Sequence, residues 1–259
     1  MLFLQGGAIG ENAIVPMNLL RGKTRADYVD TGDWSKTLDR RGRALLRQVN
    51  VAASARGERL HGDPGAATSW RLDPDAAYVH ICAERDDQRR RVPLHARHRR
   101  RAAGRRHVVA TSCRGRSTSP RYGLIYGGAQ KNIGPAGLTI VIVRDDLIGQ
   151  AQPSTPSAFD YQQQAANDSM LNTPPTYAIY IAGLVFDWIA ARGGLAAMAE
   201  HNRAKAALLY DYLDRARFYR NPVARGRPLA DERAASSCKD PALDAPFLEG
   251  ARRRAAWCS

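Results

Sequence analysis

The charge of this chain is distributed so unevenly that it limits which segments can build a folded core. Residues 36–116 hold 20 Lys and Arg against 8 Asp and Glu, a net charge of +12, whereas the rest of the 259 residues hold 19 against 17. Cations at this density repel one another, and residues 85–120 show neither the helical nor the strand period. We therefore expect ordinary folded protein from 1–34, 49–55, 69–83 and 121–221.

Strands alternate with helices in the regular part of the chain. Residues 124–126 predict a short strand, and the β-branched run 138–143 is typical of a strand buried on both faces. Thr176 is suited to cap a helix over 177–191, and a second amphipathic helix is predicted over 195–215. Strands followed by helices predict an α/β class.

Each predicted helix has one apolar face. In the first helix that face consists of Tyr177, Tyr180, Ile181, Leu184, Val185 and Trp188. In the second helix the side chains predicted to point inward are Met198, Ala206, Leu209 and Leu213.

Lys131 lies in the small-residue turn 127–132, between the two predicted strands. An amine that attacks an aldehyde needs a fixed position and a lowered pKa, which burial and nearby cations provide. Small residues such as Gly127 and Gly128 would let a planar ring approach the backbone closely. The spacing alone nevertheless favours a simpler interpretation, in which this is a lysine of a surface turn.

A resemblance to a known family reverses that interpretation. Residues 121–144 resemble, almost residue for residue, the segment that carries the cofactor lysine in phosphoserine aminotransferases. Further segments resemble the same family in the same order: the glycine-rich phosphate turn (2–8), the segment of the ring-stacking tryptophan (26–34), a central strand (75–83), the loop that reaches the partner subunit (172–176) and a small-domain segment (240–250).

The resemblance implies the fold-type I architecture of pyridoxal-phosphate aminotransferases. It would divide the chain into a partial large α/β domain at 1–190 and a partial smaller C-terminal α+β domain at 191–259, assembled as a homodimer. It implies a transaminase that converts 3-phosphohydroxypyruvate and glutamate to 3-phospho-L-serine and 2-oxoglutarate in serine biosynthesis, with a related step in pyridoxine biosynthesis. The implied cofactor is pyridoxal 5'-phosphate.

Family roles carry over where the residues match. Lys131 would form the Schiff base with the cofactor and move the proton between the substrate Cα and the cofactor C4′, and Trp34 would stack on the ring. The remaining matched positions would bind the cofactor phosphate: the backbone amides at Ala8 and Ile9, the side chain of Gln130, and, across the dimer interface, Asn172 and Thr173.

The chain departs from the family at positions that matter for the chemistry. Thr111 stands where the family has an aspartate at the pyridine nitrogen, and a neutral hydroxyl cannot keep that nitrogen protonated. The threonine that follows the family's central strand has no match in 84–88, and neither substrate arginine has a counterpart. An inactive, truncated or frameshifted remnant of the enzyme is therefore the alternative.

These departures coincide with arginine-rich stretches, after which familiar sequence resumes at nearly the expected spacing. We hypothesise single-base frame slips, later corrected, in GC-rich DNA across 36–120 and 225–259. Unbroken in-frame reads that still encode 85–120 would reject this hypothesis, and the basic stretch would then need a function of its own. Nucleic-acid binding is the less favoured option, because few aromatic side chains are interleaved for stacking on bases.

Several classes of site and location are disfavoured by the rest of the sequence. The four cysteines, Cys82, Cys113, Cys238 and Cys258, have no metal-ligand spacing, so we expect reduced thiols and no metal site. No apolar run approaches the roughly 20 residues of a membrane-spanning helix, and the first residues lack the features of a signal peptide. We expect a cytoplasmic protein without a membrane partner.

Overall fold

The structure, a computed structural model, divides into two compact units, Met1–Trp188 and Ile189–Ser259. It describes residues 1–30, 46, 48–54, 70–82, 84–85, 90–91, 107–111, 122–220 and 237–254. Much of the sequence for which we hypothesise frame slips lies outside these described residues.

The first unit is built on a seven-stranded sheet. The strands of this unit are, in chain order, β1 (Leu2–Gln5), β2 (Arg25–Asp30), β3 (Gln48–Ser54), β4 (Tyr78–Cys82), β5 (Glu84–Arg85), β6 (Arg90–Arg91), β7 (His107–Thr111), β8 (Leu124–Gly128) and β9 (Leu138–Val143). Strands β5 and β6 pair with each other, and the other seven form one sheet in the order β1-β9-β8-β7-β4-β2-β3. Strand β9 runs antiparallel to β1 and β8, while all other neighbours are parallel, so β9 opposes the other six.

Among the described residues, three α-helices belong to this unit, and they pack on both faces of the sheet. They are α1 (Gly7–Leu19), α2 (Tyr161–Ala166) and α3 (Thr176–Ala191). On one face, Ile14 of α1 packs with Leu124 and Val141 in the largest core cluster. Alternate strand residues lie on the other face, as the two-residue period of a strand requires: Val79 and Ile81 belong to one cluster there and Leu138 to another. The predicted α/β class is confirmed.

Strand β9 has its predicted bounds, but the prediction of burial on both faces was wrong near its end. Leu138 is buried and Ile140 packs against the cluster that contains α3, whereas Ile142 on the same face is 41% exposed. Helix α3 therefore covers only the first part of this face of β9.

Helix α3 begins one residue earlier than predicted and buries a different face. Ala178 and Ala182 are buried, whereas Tyr177 and Tyr180 are 71% and 63% exposed. A Cβ added to Gly134, in the turn between β8 and β9, would lie 3.5 Å from the backbone of Ala182. This close approach leaves room only for a small side chain at position 182, and the large residues Tyr177 and Tyr180 lie on the exposed side.

The second unit is formed by α4 (Gly194–Arg215), β10 (Tyr219–Arg220), β11 (Ser237–Cys238) and α5 (Asp244–Arg254). Strands β10 and β11 are antiparallel, and the Cys238 N–H donates to Asp244 Oδ1 over 2.7 Å, which ties the start of α5 to this strand pair. The rings of Phe218 and Tyr219 meet edge to face with centroids 5.0 Å apart, and Phe247 of α5 contacts both.

Helix α4 has its predicted bounds to within one residue, and its inward face is partly as predicted. Leu213 is buried, and Met198 and Ala206 are half-buried. Leu209, predicted to point inward, is exposed, and Tyr210 is buried instead. Tyr210 and Leu213 are three residues apart and therefore share one side of the helix.

No single helix in the described part of the chain combines the length and apolar character needed to cross a membrane. Helices α3 and α4 satisfy that test only when they are counted together across the bend between them.

Glu11 is an ionisable residue of α1 whose side chain lies in the protein core. It is fully buried, its Oε2 accepts a 2.6 Å hydrogen bond from the Tyr161 hydroxyl, and its Oε1 has no hydrogen-bond partner among the described residues. Burial raises the pKa of Glu11 to about 7, against the opposite effect of the hydrogen bond from Tyr161. Ionisation of this carboxyl group therefore opposes folding.

We expect Ala182→Leu to lower the free energy of unfolding by about 1–3 kcal/mol, because the larger side chain overpacks the contact with Gly134. Ala190→Leu, at an exposed position of the same helix, should change that free energy by less than about 0.5 kcal/mol. Urea unfolding followed by circular dichroism measures both variants. Equal losses in the two would contradict the packing described for α3.

We expect Glu11→Gln to change how stability depends on pH. The folded-state pKa of about 7 lies above the ordinary value of 4.5, so the wild-type protein loses stability as pH rises from 4.5 to 7. The glutamine keeps an acceptor for Tyr161 but cannot ionise, so the variant should be more stable by up to a few kcal/mol at about pH 8. Thermal unfolding across this range measures the difference.

Glu200→Gln, which removes an exposed glutamate of α4, is the matched control and should leave the pH dependence unchanged. Parallel pH profiles for wild type and Glu11→Gln would show that the carboxyl group is not the source of the decline.

Candidate functional site

Several strands of the large sheet end at one edge. Their last residues are Gln5 of β1, Asp30 of β2, Cys82 of β4, Thr111 of β7 and Gly128 of β8. These strands point the same way, so their carboxyl ends meet at this edge, where α/β proteins characteristically bind ligands. Strand β9 runs in the opposite direction, so it starts there and the turn between β8 and β9 lies at the same edge.

A glycine turn connects β1 to α1 at this edge. Gly6 and Gly7 have φ angles of 101° and 64°, which glycine adopts without strain. Helix α1 begins at Gly7, so the backbone N–H groups of its first turn, including those of Ala8 and Ile9, lack acceptors within the helix. Such a helix terminus attracts anions, and phosphate in particular.

The turn between β8 and β9, here called the lysine turn, contains Lys131 and is held by backbone hydrogen bonds. The buried Ala129 donates its N–H to Leu138 O over 2.9 Å, and its carbonyl accepts from the N–H groups of Ile133 and Gly134 at 3.0 and 2.9 Å. Lys131 has a φ of 92°, a strained conformation for a residue with a side chain and one that is concentrated at functional sites. The side chain is exposed, whereas the chemistry expected from the sequence favours burial.

Gln130 lies next to Lys131 and folds back over the end of β8. A Cβ added to Gly128 would collide with the Gln130 side-chain amide, so the glycine leaves room for that amide. A neutral hydrogen-bond donor is therefore available beside the lysine amine.

The two turns are near neighbours across the sheet. Gln5 lies opposite Leu138 in the register of β1 and β9, and Gly128 lies opposite Thr139 in the register of β8 and β9. Two strand spacings, roughly 10 Å, therefore separate β1 from β8. A ligand that carries both a phosphate and an aldehyde can contact both turns.

The loop that contains Asn172 and Thr173 lies beside the end of β1. The Gln5 Nε2 group donates to Thr173 O over 2.9 Å, and the Phe3 N–H donates to Ser169 Oγ over 3.0 Å. Asn172 and Thr173 are exposed. Two neutral polar side chains are thus presented at the surface near the glycine turn.

Beneath the glycine turn, a hydroxyl group joins α1 to the sheet. The Tyr126 hydroxyl donates to Asn12 Oδ1 over 3.0 Å and lies 3.1 Å from His80 Nε2. Burial lowers the pKa of His80 to about 3, so the imidazole is neutral near pH 7. Burial also raises the pKa of Tyr126 well above its ordinary value, so this buried contact is uncharged.

The structure describes most of the site residues that were predicted from sequence, but not all of them. It brings Ala8, Ile9, Gln130 and Lys131 to the same sheet edge, whereas Trp34 lies outside the described residues. Thr111 ends β7 in register with Cys82 and Tyr126.

The sequence reasoning missed the buried contact that joins Asn12, His80 and Tyr126. One signal was available, because Glu11 and Asn12 are polar neighbours in a helix that continues as Ala13-Ile14-Val15. Among the described residues, no group of three or more His, Cys, Asp or Glu side chains is arranged to hold a metal ion.

Comparison with known proteins places this arrangement in a family. The family model described as "Aminotransferase class-V" matches residues 120–231. A phosphoserine aminotransferase of Ralstonia nicotianae is 47% identical over 236 residues, which cover 86% of this chain and 60% of the relative. A phosphoserine aminotransferase of Albidiferax ferrireducens is 44% identical over 265 residues, which cover 97% of this chain and 70% of the relative.

Solved structures agree with the sequence relatives. The phosphoserine aminotransferase of Bacillus circulans subsp. alkalophilus matches with a TM-score of 0.84 and 30% identity, over 98% of this chain and 69% of that one. A structure described as PLP-bound phosphoserine aminotransferase from Trichomonas vaginalis matches with a TM-score of 0.79 and 28% identity, over 98% of this chain and 72% of that one.

The chain spans 60–62% of the length of the first curated relatives that it matches. Over the part that it spans, both the sequence identity and the structural agreement are high. The sheet order, the antiparallel strand β9 and the turn that contains Lys131 lie within the matched region. The chain therefore belongs to the phosphoserine aminotransferase family of class-V, pyridoxal-phosphate-dependent aminotransferases.

Proposed function

We propose that this chain binds pyridoxal 5'-phosphate through Lys131 and acts as a phosphoserine aminotransferase. The reaction would convert 3-phosphohydroxypyruvate and glutamate to 3-phospho-L-serine and 2-oxoglutarate, a step of serine biosynthesis, with a related step in pyridoxine biosynthesis. Relatives that are 44–49% identical bear the name of that enzyme, which supports the choice of reaction.

One observation carries the proposal: the glycine turn after β1 and the lysine turn after β8 lie at the same sheet edge, two strands apart. Helix-terminal amides suit a phosphate dianion, and a primary amine suits an aldehyde. Pyridoxal phosphate carries both groups, so the available donors fit it. The strained φ of Lys131 adds support, because such conformations persist only where the surrounding structure enforces them.

Each residue of the site would have a defined task. The backbone N–H groups of Ala8 and Ile9 and the amide of Gln130 would donate to the phosphate. The Lys131 amine would hold the cofactor and move a proton at the substrate Cα. When bound, the pyridine ring supplies a sink for the electrons released there. Trp34, outside the described residues, would stack on the ring.

The proposed working unit is a homodimer. Asn172 and Thr173 are exposed, and they would donate to the cofactor phosphate of the partner subunit. Helix α3 also exposes Tyr180, Leu184 and Trp188, an apolar surface of the kind that a second copy covers. The cytoplasmic location and the absence of membrane and nucleic-acid partners stay predictions.

A second candidate function is cofactor binding without efficient turnover. Thr111, at the carboxyl end of β7, stands where the family has the aspartate of the pyridine nitrogen. A neutral residue at that position does not favour the protonated ring, which is the better electron sink. This substitution favours slow turnover or none.

Reductive labelling tests the attachment of the cofactor. Wild-type protein incubated with pyridoxal phosphate and then treated with borohydride should carry the added mass on the tryptic peptide that contains Lys131. Lys131→Ala should lack that label, because no amine remains in the turn. Lys205→Ala, at an exposed position of α4, is the matched control and should label like wild type.

Turnover is measured in the same preparations with glutamate and 3-phosphohydroxypyruvate. Labelling together with release of 2-oxoglutarate supports the transaminase, and labelling without product supports the second candidate. A folded wild-type protein that takes no label at Lys131 contradicts both.

A further inference from the structure

Tyr126 connects the elements that carry the proposed site. It is buried in β8, five residues before Lys131, and pairs across the sheet with Thr111 of β7. Its hydroxyl contacts α1, the helix that begins at the glycine turn. We propose that Tyr126 is a positioning residue whose hydroxyl fixes the glycine turn, Gly6 and Gly7, relative to Lys131. This inference rests on the proposed function.

The protons of this contact can be assigned from its geometry. A tyrosine hydroxyl has one proton, and that of Tyr126 donates it to Asn12 Oδ1 over 3.0 Å. The neutral His80 must therefore donate from Nε2 to the Tyr126 oxygen, 3.1 Å away. The other ring nitrogen, Nδ1, is then unprotonated, and it has no hydrogen-bond partner among the described residues.

These hydrogen bonds restrict the orientation of α1 on the sheet, which apolar packing alone does not. Ile14 and Leu19 hold α1 against the sheet, but apolar contacts have little directional preference. A hydrogen bond weakens steeply as its angle departs from linearity, so the bond to Asn12 limits sliding and rotation of the helix. The Gly10 N–H donates to Gly6 O over 3.1 Å, which passes this restraint to the glycine turn.

The positioning role predicts a specific pattern of binding. In Tyr126→Phe, the affinity for pyridoxal phosphate should fall about five- to tenfold, the effect of losing the one hydrogen bond of this hydroxyl that holds α1. The affinity for inorganic phosphate should fall clearly less, because phosphate alone contacts the glycine turn and Gln130 but needs no fixed distance to the Lys131 amine. Both affinities are measured by isothermal titration calorimetry with pyridoxal phosphate and with inorganic phosphate.

Two variants make the comparison specific. Tyr78→Phe removes an equally buried hydroxyl from the same sheet face, one that bonds to Tyr28 at 3.2 Å rather than to α1, and it should leave both affinities unchanged. Asn12→Leu should reproduce the effect of Tyr126→Phe. The double variant should lose little more than either single variant, because both remove the same bond.

The outcomes separate this inference from the proposed function. Unchanged pyridoxal phosphate binding in Tyr126→Phe, or equal losses for both ligands, overturns the positioning role while leaving the proposed function intact. Wild-type protein that binds no pyridoxal phosphate contradicts the proposed function instead.

Hydrogen exchange then tests the positioning role without the cofactor. Exchange of the Gly10, Glu11 and Asn12 amides should be about five- to tenfold faster in Tyr126→Phe than in Tyr78→Phe. Equal rates in the two variants overturn the inference.

Discussion

The reversed direction of β9 is the constraint on which the site depends. Because β9 runs antiparallel between β1 and β8, its connection from β8 is a turn at the carboxyl edge of the sheet. A parallel β9 would need a crossover to the opposite edge before it began. The lysine turn consequently lies beside the start of α1, and one ligand can meet a helix terminus and an amine at once. The buried Ala129 anchors this turn from below.

Beneath that edge, the core contains polar groups whose burial costs free energy that apolar residues would not cost. Burial raises the pKa of Glu11 to about 7, so this carboxyl group is partly protonated at neutral pH, and burial keeps His80 neutral. Each leaves one buried side-chain atom without a hydrogen-bond partner among the described residues. The hydrogen bonds that these groups do form are directional, and such bonds specify one arrangement of the elements that they join. The proposed role of the Tyr126 hydroxyl, between Asn12 and His80, is of this kind.

Local pattern predicted the elements better than the contacts between them. The β-branched residues of β9 and the glycines after α3 determine where those elements begin or end, so their bounds were predictable to within one residue. The inward face of α3 was not predictable in this way. It depends on the close approach of Gly134 to Ala182, which admits only a small side chain and leaves no trace in the local sequence pattern. The turn of Lys131 was recognisable from its residues, whereas its φ of 92° is a tertiary property. The Asn12–Tyr126 bond joins residues 114 apart in sequence, beyond the range of any short pattern.

A single ligand that spans the glycine turn and the lysine turn would explain why both lie at one sheet edge. Calorimetric titration of the protein with pyridoxal phosphate and with pyridoxal, which lacks the phosphate, tests this most directly. We expect pyridoxal phosphate to bind at least about a hundredfold more tightly, because charge-assisted hydrogen bonds to the helix terminus contribute roughly 1.5–3 kcal/mol each. Equal affinities for the two compounds would contradict a ligand that bridges the two turns.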